Sequence, residues 1–121
     1  MEDHQMKICI PVTEERGMDS EVSEHFGKTP LFAFYDDEIN ELEIIKIGGR
    51  HSGGGLTPAE IAVNSDADIL ICANIGSKAI NLLRTHGVDV LMGARGTVAE
   101  TLNMLKRGEL TGATNPCKGR H

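Results

Sequence analysis

Eight residues, Gly48, Gly49, Arg50, His51, Ser52, Gly53, Gly54 and Gly55, hold five glycines, one arginine and one histidine. Ordering so many glycines costs backbone entropy, and their advantage is unusual dihedrals and close approach of backbone N–H groups to a ligand. A neutral imidazole is a common metal ligand, so His51 is the foremost candidate for one. Arg50 and the N–H groups of Gly53, Gly54 and Gly55 suit an anionic cargo. A plain hairpin-to-helix connection is the competing reading, but it needs fewer glycines.

Other residues carry weaker signals. His25, in Ser23-Glu24-His25-Phe26-Gly27-Lys28-Thr29-Pro30, sits where one helical turn would put Val22 and Phe26 on its inner side. It is a second candidate ligand, or a surface histidine beside a packed Phe. Cys117 and His121, four apart near the end of the chain, could bring a thiolate and an imidazole back to a bound metal. Asn74-Ile75-Gly76-Ser77 and Gly93-Ala94-Arg95-Gly96, the latter followed by Thr97, combine glycine with a hydroxyl expected to cap a helix. Asn74, Gly76, Ser77, Arg95, Gly96 and Thr97 are therefore candidates for holding an anion at helix starts, although short strand-to-helix connections would look alike. Gly27-Lys28-Thr29 imitates a phosphate loop, but Val22 stands where the motif needs its first glycine and Pro30 leads into a strand. Cys9 and Cys72 lie in apolar strands and read as small buried hydrophobes. His86, in the last turn before Gly87, is explained by the helix dipole.

The elements that must position these residues follow from periodicity. Lys7 to Val12 alternates as a strand, and Leu31 to Tyr35 with Leu42 to Ile47 flank a polar turn as a hairpin. Thr57-Pro58-Ala59-Glu60 is a capping box with Pro at the first helical position, opening a helix that should run to about Ser65. Asp68 to Ala73 is a continuous apolar strand of the kind that parallel packing buries on both faces. Ser77 should cap a second helix, ended by Gly87. Val88 to Met92 is the next strand, and Thr97-Val98-Ala99-Glu100 is another capping box, starting a helix that Gly108 stops. These elements predict an α/β sandwich of three layers: a five-stranded mixed sheet of order 3-2-1-4-5, strand 2 antiparallel, with three helices. Each helix start should lie at the carboxyl edge of the sheet, where ligands of open α/β sheets bind.

The 121 residues fit one domain, with a core at about 6–110 and flexible ends at 1–5 and 111–121. No apolar run approaches a membrane span and no secretory signal precedes the first strand, so a cytoplasmic protein is expected. Twelve basic against eighteen acidic residues give a net charge of −6, the wrong sign for a nucleic-acid partner, and with no Trp and one Tyr, stacking platforms are scarce. Three scattered cysteines without a CxxC pair write neither a disulfide framework nor a closed zinc site. Catalytic motifs are absent too. The layered topology resembles ribonuclease H, whose nucleases hold metal on carboxylates beginning at the first strand. Here Lys7-Ile8-Cys9-Ile10-Pro11-Val12 offers none, which disfavours nuclease action.

Four blocks in order then point to a family. Lys7 to Val12, Ser20 to Pro30, Gly48 to Pro58 and Ile75 to Leu110, closing on Gly96-Thr97-Val98 and Gly108-Glu109-Leu110, together resemble the dinitrogenase iron-molybdenum cofactor biosynthesis proteins from Met6 to about Leu110. The resemblance implies a ribonuclease H-like fold without nuclease activity. It also implies a non-enzymatic role in binding or carrying an iron-sulfur or molybdenum-containing cluster during cofactor assembly. Cluster donor or acceptor proteins would be the partners, and the chain a monomer or weak homodimer. The alternative is a small-anion or nucleotide-binding regulatory module using the same helix-start loops without metal. A third is an interaction domain that pairs through Leu42 to Ile47 at a sheet edge.

Overall fold

The computed structural model describes residues 6–47 and 57–112. Strands β1 (Lys7–Val12), β2 (Leu31–Asp36) and β3 (Glu41–Lys46) form an antiparallel meander, and β4 (Ile69–Ile71) and β5 (Asp89–Met92) extend it in parallel with β1. Helices α1 (Pro58–Asn64), α2 (Ser77–Thr85) and α3 (Val98–Arg107) connect and follow them. Among the described residues the sheet has six strands in the order β3-β2-β1-β4-β5-β6, not five. The sixth, β6, is Thr111–Gly112, two residues expected in the flexible end that instead extend the sheet. Gly108 takes the left-handed conformation at φ 71° and turns the chain after α3. Thr111 and Gly112 then run antiparallel to β5. Such pairing needs only backbone groups, so no side-chain pattern announced it.

Strand alternation sorts the side chains into two cores. Cys9, Phe32, Phe34, Leu70 and Cys72 point to one face, against Ala59 and Ala62 of α1 and Leu83 of α2. Ile8, Ile10, Val12, Ala33 and Ile71 point to the other, against Val98 and Leu102 of α3. Helices thus cover both faces of the mixed sheet. Phe32 stacks on Phe26 at 5.9 Å and meets Phe34 edge-on at 5.8 Å, concentrating the aromatic contacts of the first core at β2.

The expected helix starts hold at α1 and α3. Thr57 accepts from the Glu60 amide while Glu60 accepts from the Thr57 amide, and Thr97 and Glu100 repeat the arrangement. At α2 the expectation fails. Gly76, not Ser77, is the N-cap: its backbone is extended, the Ile80 amide donates to its carbonyl at 3.0 Å, and no side chain caps this start. Ser77 lies one residue too far along, inside the first turn. The run expected as a strand from Asp68 to Ala73 is strand only over Ile69–Ile71, with backbone bonds continuing just past both ends: the Asp68 amide donates to the Lys7 carbonyl at 2.8 Å and the Cys72 amide to the Leu91 carbonyl at 3.0 Å.

Candidate functional site

β1, β3, β4 and β5 all point one way, so their carboxyl ends share an edge, and the loops leading into α1, α2 and α3 leave from it. The chain after β1 lies across this edge. The Val22 amide donates to the Gly96 carbonyl at 2.9 Å and the Val98 amide to the Ser20 carbonyl at 3.0 Å, with Glu21 bridging Thr97 between them. One residue on, the Ser23 amide donates to the Pro11 carbonyl at 2.9 Å, and the Asn74 side chain reaches the Glu24 carbonyl at 3.5 Å. Segment 20–24 therefore joins the end of β1, the loop before α2 and the loop before α3. Nothing in its sequence gave this away beyond two small polar residues, Ser20 and Ser23, which the fold buries.

His25 follows directly and is exposed. It is the N-cap of a 3₁₀ turn, Phe26–Lys28, not part of an α-turn, and Val22 and Phe26 do not share an inner side. Phe26 packs into the core beneath α1 and α2, whereas Val22 belongs to the core beneath α3, because Val22 sits in extended chain four residues before the turn begins at Phe26. The imidazole borders a recess of about 410 Å³ with Thr13, Glu21, Glu24 and Lys28. Thr29 closes the segment from below: its buried hydroxyl lies 3.1 Å from the Val12 carbonyl and 2.9 Å from that of Leu31, pinning the end of β1 to the start of β2.

The strand end and helix start that bracket the glycine-rich loop come to the same place. The Ile47 amide donates to the Pro30 carbonyl at 2.9 Å, beside the His25 turn, and α1 packs against Phe26–Lys28. Arg50, His51, Gly53, Gly54 and Gly55 themselves lie outside the described residues, as do Cys117 and His121. Asn74, Gly96 and Thr97 are brought to the His25 segment. Arg95 is exposed and lines a different recess, with Asn103 and Arg107 of α3.

Among the described residues no three of His, Cys, Asp and Glu come close enough to hold a metal ion. The thiols are the wrong ones for ligation. Cys9 and Cys72 are buried; burial, and secondarily the neighbouring Cys72, raise Cys9 well above its ordinary value, and burial pushes Cys72 up to about 12. A thiolate is the ligating form, so both remain protonated packing groups. Glycine at 96 is a geometric need: its φ is +80°, and a Cβ there would lie 1.9 Å from the Glu100 carboxylate that completes the α3 capping box. No helix of the described residues is long and apolar enough to cross a membrane.

Comparison with known proteins agrees with this architecture. Residues 6–108 match the family model for dinitrogenase iron-molybdenum cofactor. An uncharacterised protein of Methanocaldococcus jannaschii is 30% identical over 110 residues, covering 87% of this chain and 89% of its own. The NMR structure of a NifB-like protein from Thermotoga is similar at TM-score 0.75 and 28% identity, over 91% of this chain and 95% of that one. The apo orange protein from Desulfovibrio gigas shares the fold at TM-score 0.79 and 24% identity, over 94% and 98% of the two chains. With the sheet, the crossing segment and the helix starts spanning the matched residues, the chain belongs to the dinitrogenase iron-molybdenum cofactor family.

Proposed function

We propose that the protein is a non-enzymatic carrier that binds an iron-sulfur or molybdenum-containing cluster at the carboxyl edge and passes it between donor and acceptor proteins of cofactor assembly in the cytoplasm. The observation that carries this reading is the position of Ile47 and α1. Both attachment points of the glycine-rich loop lie at the edge where His25, Asn74, Gly96 and Thr97 gather. His51 and His25 are the proposed ligands, and Cys117 with His121 supplementary ones. The backbone of Gly53, Gly54 and Gly55, with Arg50 and Arg95, balances anionic charge. A cargo to be released suits few, dispersed donors better than the four that close a permanent site. The sandwich is read as ribonuclease H-like without nuclease chemistry, in keeping with a first strand whose Ile8, Cys9, Ile10 and Val12 are all buried apolar groups.

Anaerobic reconstitution with iron, sulfide and molybdate tests the proposal. The expected product is coloured and retains metal through gel filtration, and the double variant His51→Ala, His25→Ala loses it. A colourless protein, or retention unchanged in the double variant, rejects it.

One observation favours a second reading, in which the same edge holds a small anion or nucleotide without metal. Of the three helix starts α2 alone has no side-chain cap, leaving first-turn N–H groups beside the exposed Asn74, Ser77 and Lys78. In that case inorganic phosphate or a nucleotide raises Tm and metals do not.

A further inference from the structure

Strand β3 is an outer edge of the sheet. It pairs with β2 along its whole length without a bulge, from Glu41 opposite Asp36 to Lys46 opposite Leu31. The Ile47 amide bonds to the Pro30 carbonyl, which sets the alternation. Glu41, Glu43 and Ile45 turn their backbone polar groups toward β2, while Leu42, Ile44 and Lys46 turn theirs outward. Among the described residues no strand pairs with this row. Free edges are ordinarily blunted by proline, a bulge, shortness or a covering element. β3 has six residues, no proline and no bulge; its charges Glu41, Glu43 and Lys46 and the turn Gly17–Asp19 packed against it are its guards among the described residues.

Exposed apolar groups concentrate here as well. Of the three large hydrophobic side chains exposed among the described residues, Ile39 at 57% and Ile45 at 40% belong to the β2–β3 hairpin. Ile39, Ile45 and Phe34 line an open recess of about 660 Å³ that runs along the strand.

The geometry points to a second copy of this chain as the occupant, added antiparallel to β3 about a two-fold axis at Ile44 to make a continuous sheet across two subunits. The register follows from the residues. With Ile44 opposite Ile44 of the second copy, Leu42 faces Lys46, Glu43 faces Ile45 and Glu41 faces Ile47, so no carboxylate stands directly opposite another. The outward backbone groups of Leu42, Ile44 and Lys46 meet each other as hydrogen-bonded pairs. Sliding the second copy one step toward Glu41 puts Glu43 directly against Glu43, a destabilising like-charge pair. Sliding it the other way shortens the overlap. Self-pairing in this one register satisfies the row, covers Ile45 with the aliphatic part of Glu43, and sets the Lys46 stem on Leu42. The association is independent of any cargo at the carboxyl edge.

Sedimentation equilibrium on the full chain, from low micromolar to near-millimolar concentration, should show the mass rising toward twice that of one chain. Ile45→Glu places carboxylate against Glu43 of the second copy and should return the mass to that of a single chain. Ile45 is already exposed, so circular dichroism should be unchanged. Adding Glu43→Lys to Ile45→Glu restores opposite charges in this register and should restore the dimer. In a Cys117→Ser background, Ile44→Cys should form a disulfide dimer on mild oxidation, because hydrogen-bonded antiparallel partners lie about 5.5 Å apart at Cα, within disulfide reach. Thr111→Cys, at the opposite edge, should not. A single-chain mass throughout, a dimer that survives Ile45→Glu, or crosslinking at Thr111→Cys instead of Ile44→Cys would overturn the proposal.

Discussion

The Val22 amide donates to the Gly96 carbonyl at 2.9 Å, and this bond fastens the chain after β1 onto the loop that opens α3. It joins residues far apart in sequence at the edge proposed to hold the cargo. Gly96 serves it in two ways, by a left-handed backbone and by leaving room for Glu100. Gly96→Ala should therefore cost about 2–3 kcal/mol, combining roughly 1–2 for a Cβ in the left-handed region with about 1 for displacing the capping carboxylate. Urea unfolding measures the loss; a change of a few tenths would show that the loop relaxes without strain.

The helix starts separate fold stability from ligand binding. Thr57→Ala and Thr97→Ala should each lower stability by about 1 kcal/mol, since each hydroxyl accepts a first-turn amide. Gly76→Asp should act oppositely and raise it by about 0.3 kcal/mol: φ is −81°, nothing lies within 4 Å of the added Cβ, and the start has no cap at present. If the uncapped start of α2 holds an anion, the same substitution abolishes the rise in Tm that phosphate produces in the wild type. Thermal melts with and without phosphate read both effects.

His25 and Phe26 are neighbours with different tasks. His25 is exposed, and His25→Ala should change stability by less than about 0.5 kcal/mol while reducing metal retention on reconstitution. Phe26 is buried against Phe32, and Phe26→Ala should cost about 3–5 kcal/mol and loosen the turn that carries His25. Chemical denaturation of the two variants, compared with their metal content, tests the division.

Cys9 and Cys72 should be silent toward a thiol reagent in the native protein at pH 8 and react once it is denatured. Both folded-state pKa values are raised, so the folded protein keeps these protons longer than the unfolded chain does. Their contribution to stability is complete below the ordinary thiol value of 9.0 and is lost as pH rises from there toward the folded value of Cys72, about 12. Stability measured across that range should fall, and Cys72→Ala, though less stable at pH 7, should fall less steeply.

Much of the architecture was legible because its signals are local. The capping boxes at Thr57 and Thr97 each occupy four consecutive residues, and the hairpin from Leu31 to Lys46 shows its own polar turn. At α2 the same logic misplaced the cap by one residue, since Ser77 has the favoured side chain but Gly76 has the extended backbone. Burial of Cys9 and Cys72 followed from the apolar strands around them. The edge position of β3 followed from a hairpin at the start of a parallel array.

By itself the sequence determined the first five strands, the three helices, the direction of the sheet, and the edge from which all three helices depart, because alternation, capping and chain reversal act over a few residues. Only the tertiary structure decided that Val22 and Phe26 enter opposite cores, that segment 20–24 ties Pro11, Asn74 and Gly96 together, and that Thr111 and Gly112 close onto β5. Those contacts are made mostly by backbone amides and carbonyls, which every residue but proline carries alike, so no pattern of side chains can announce which distant pair will meet.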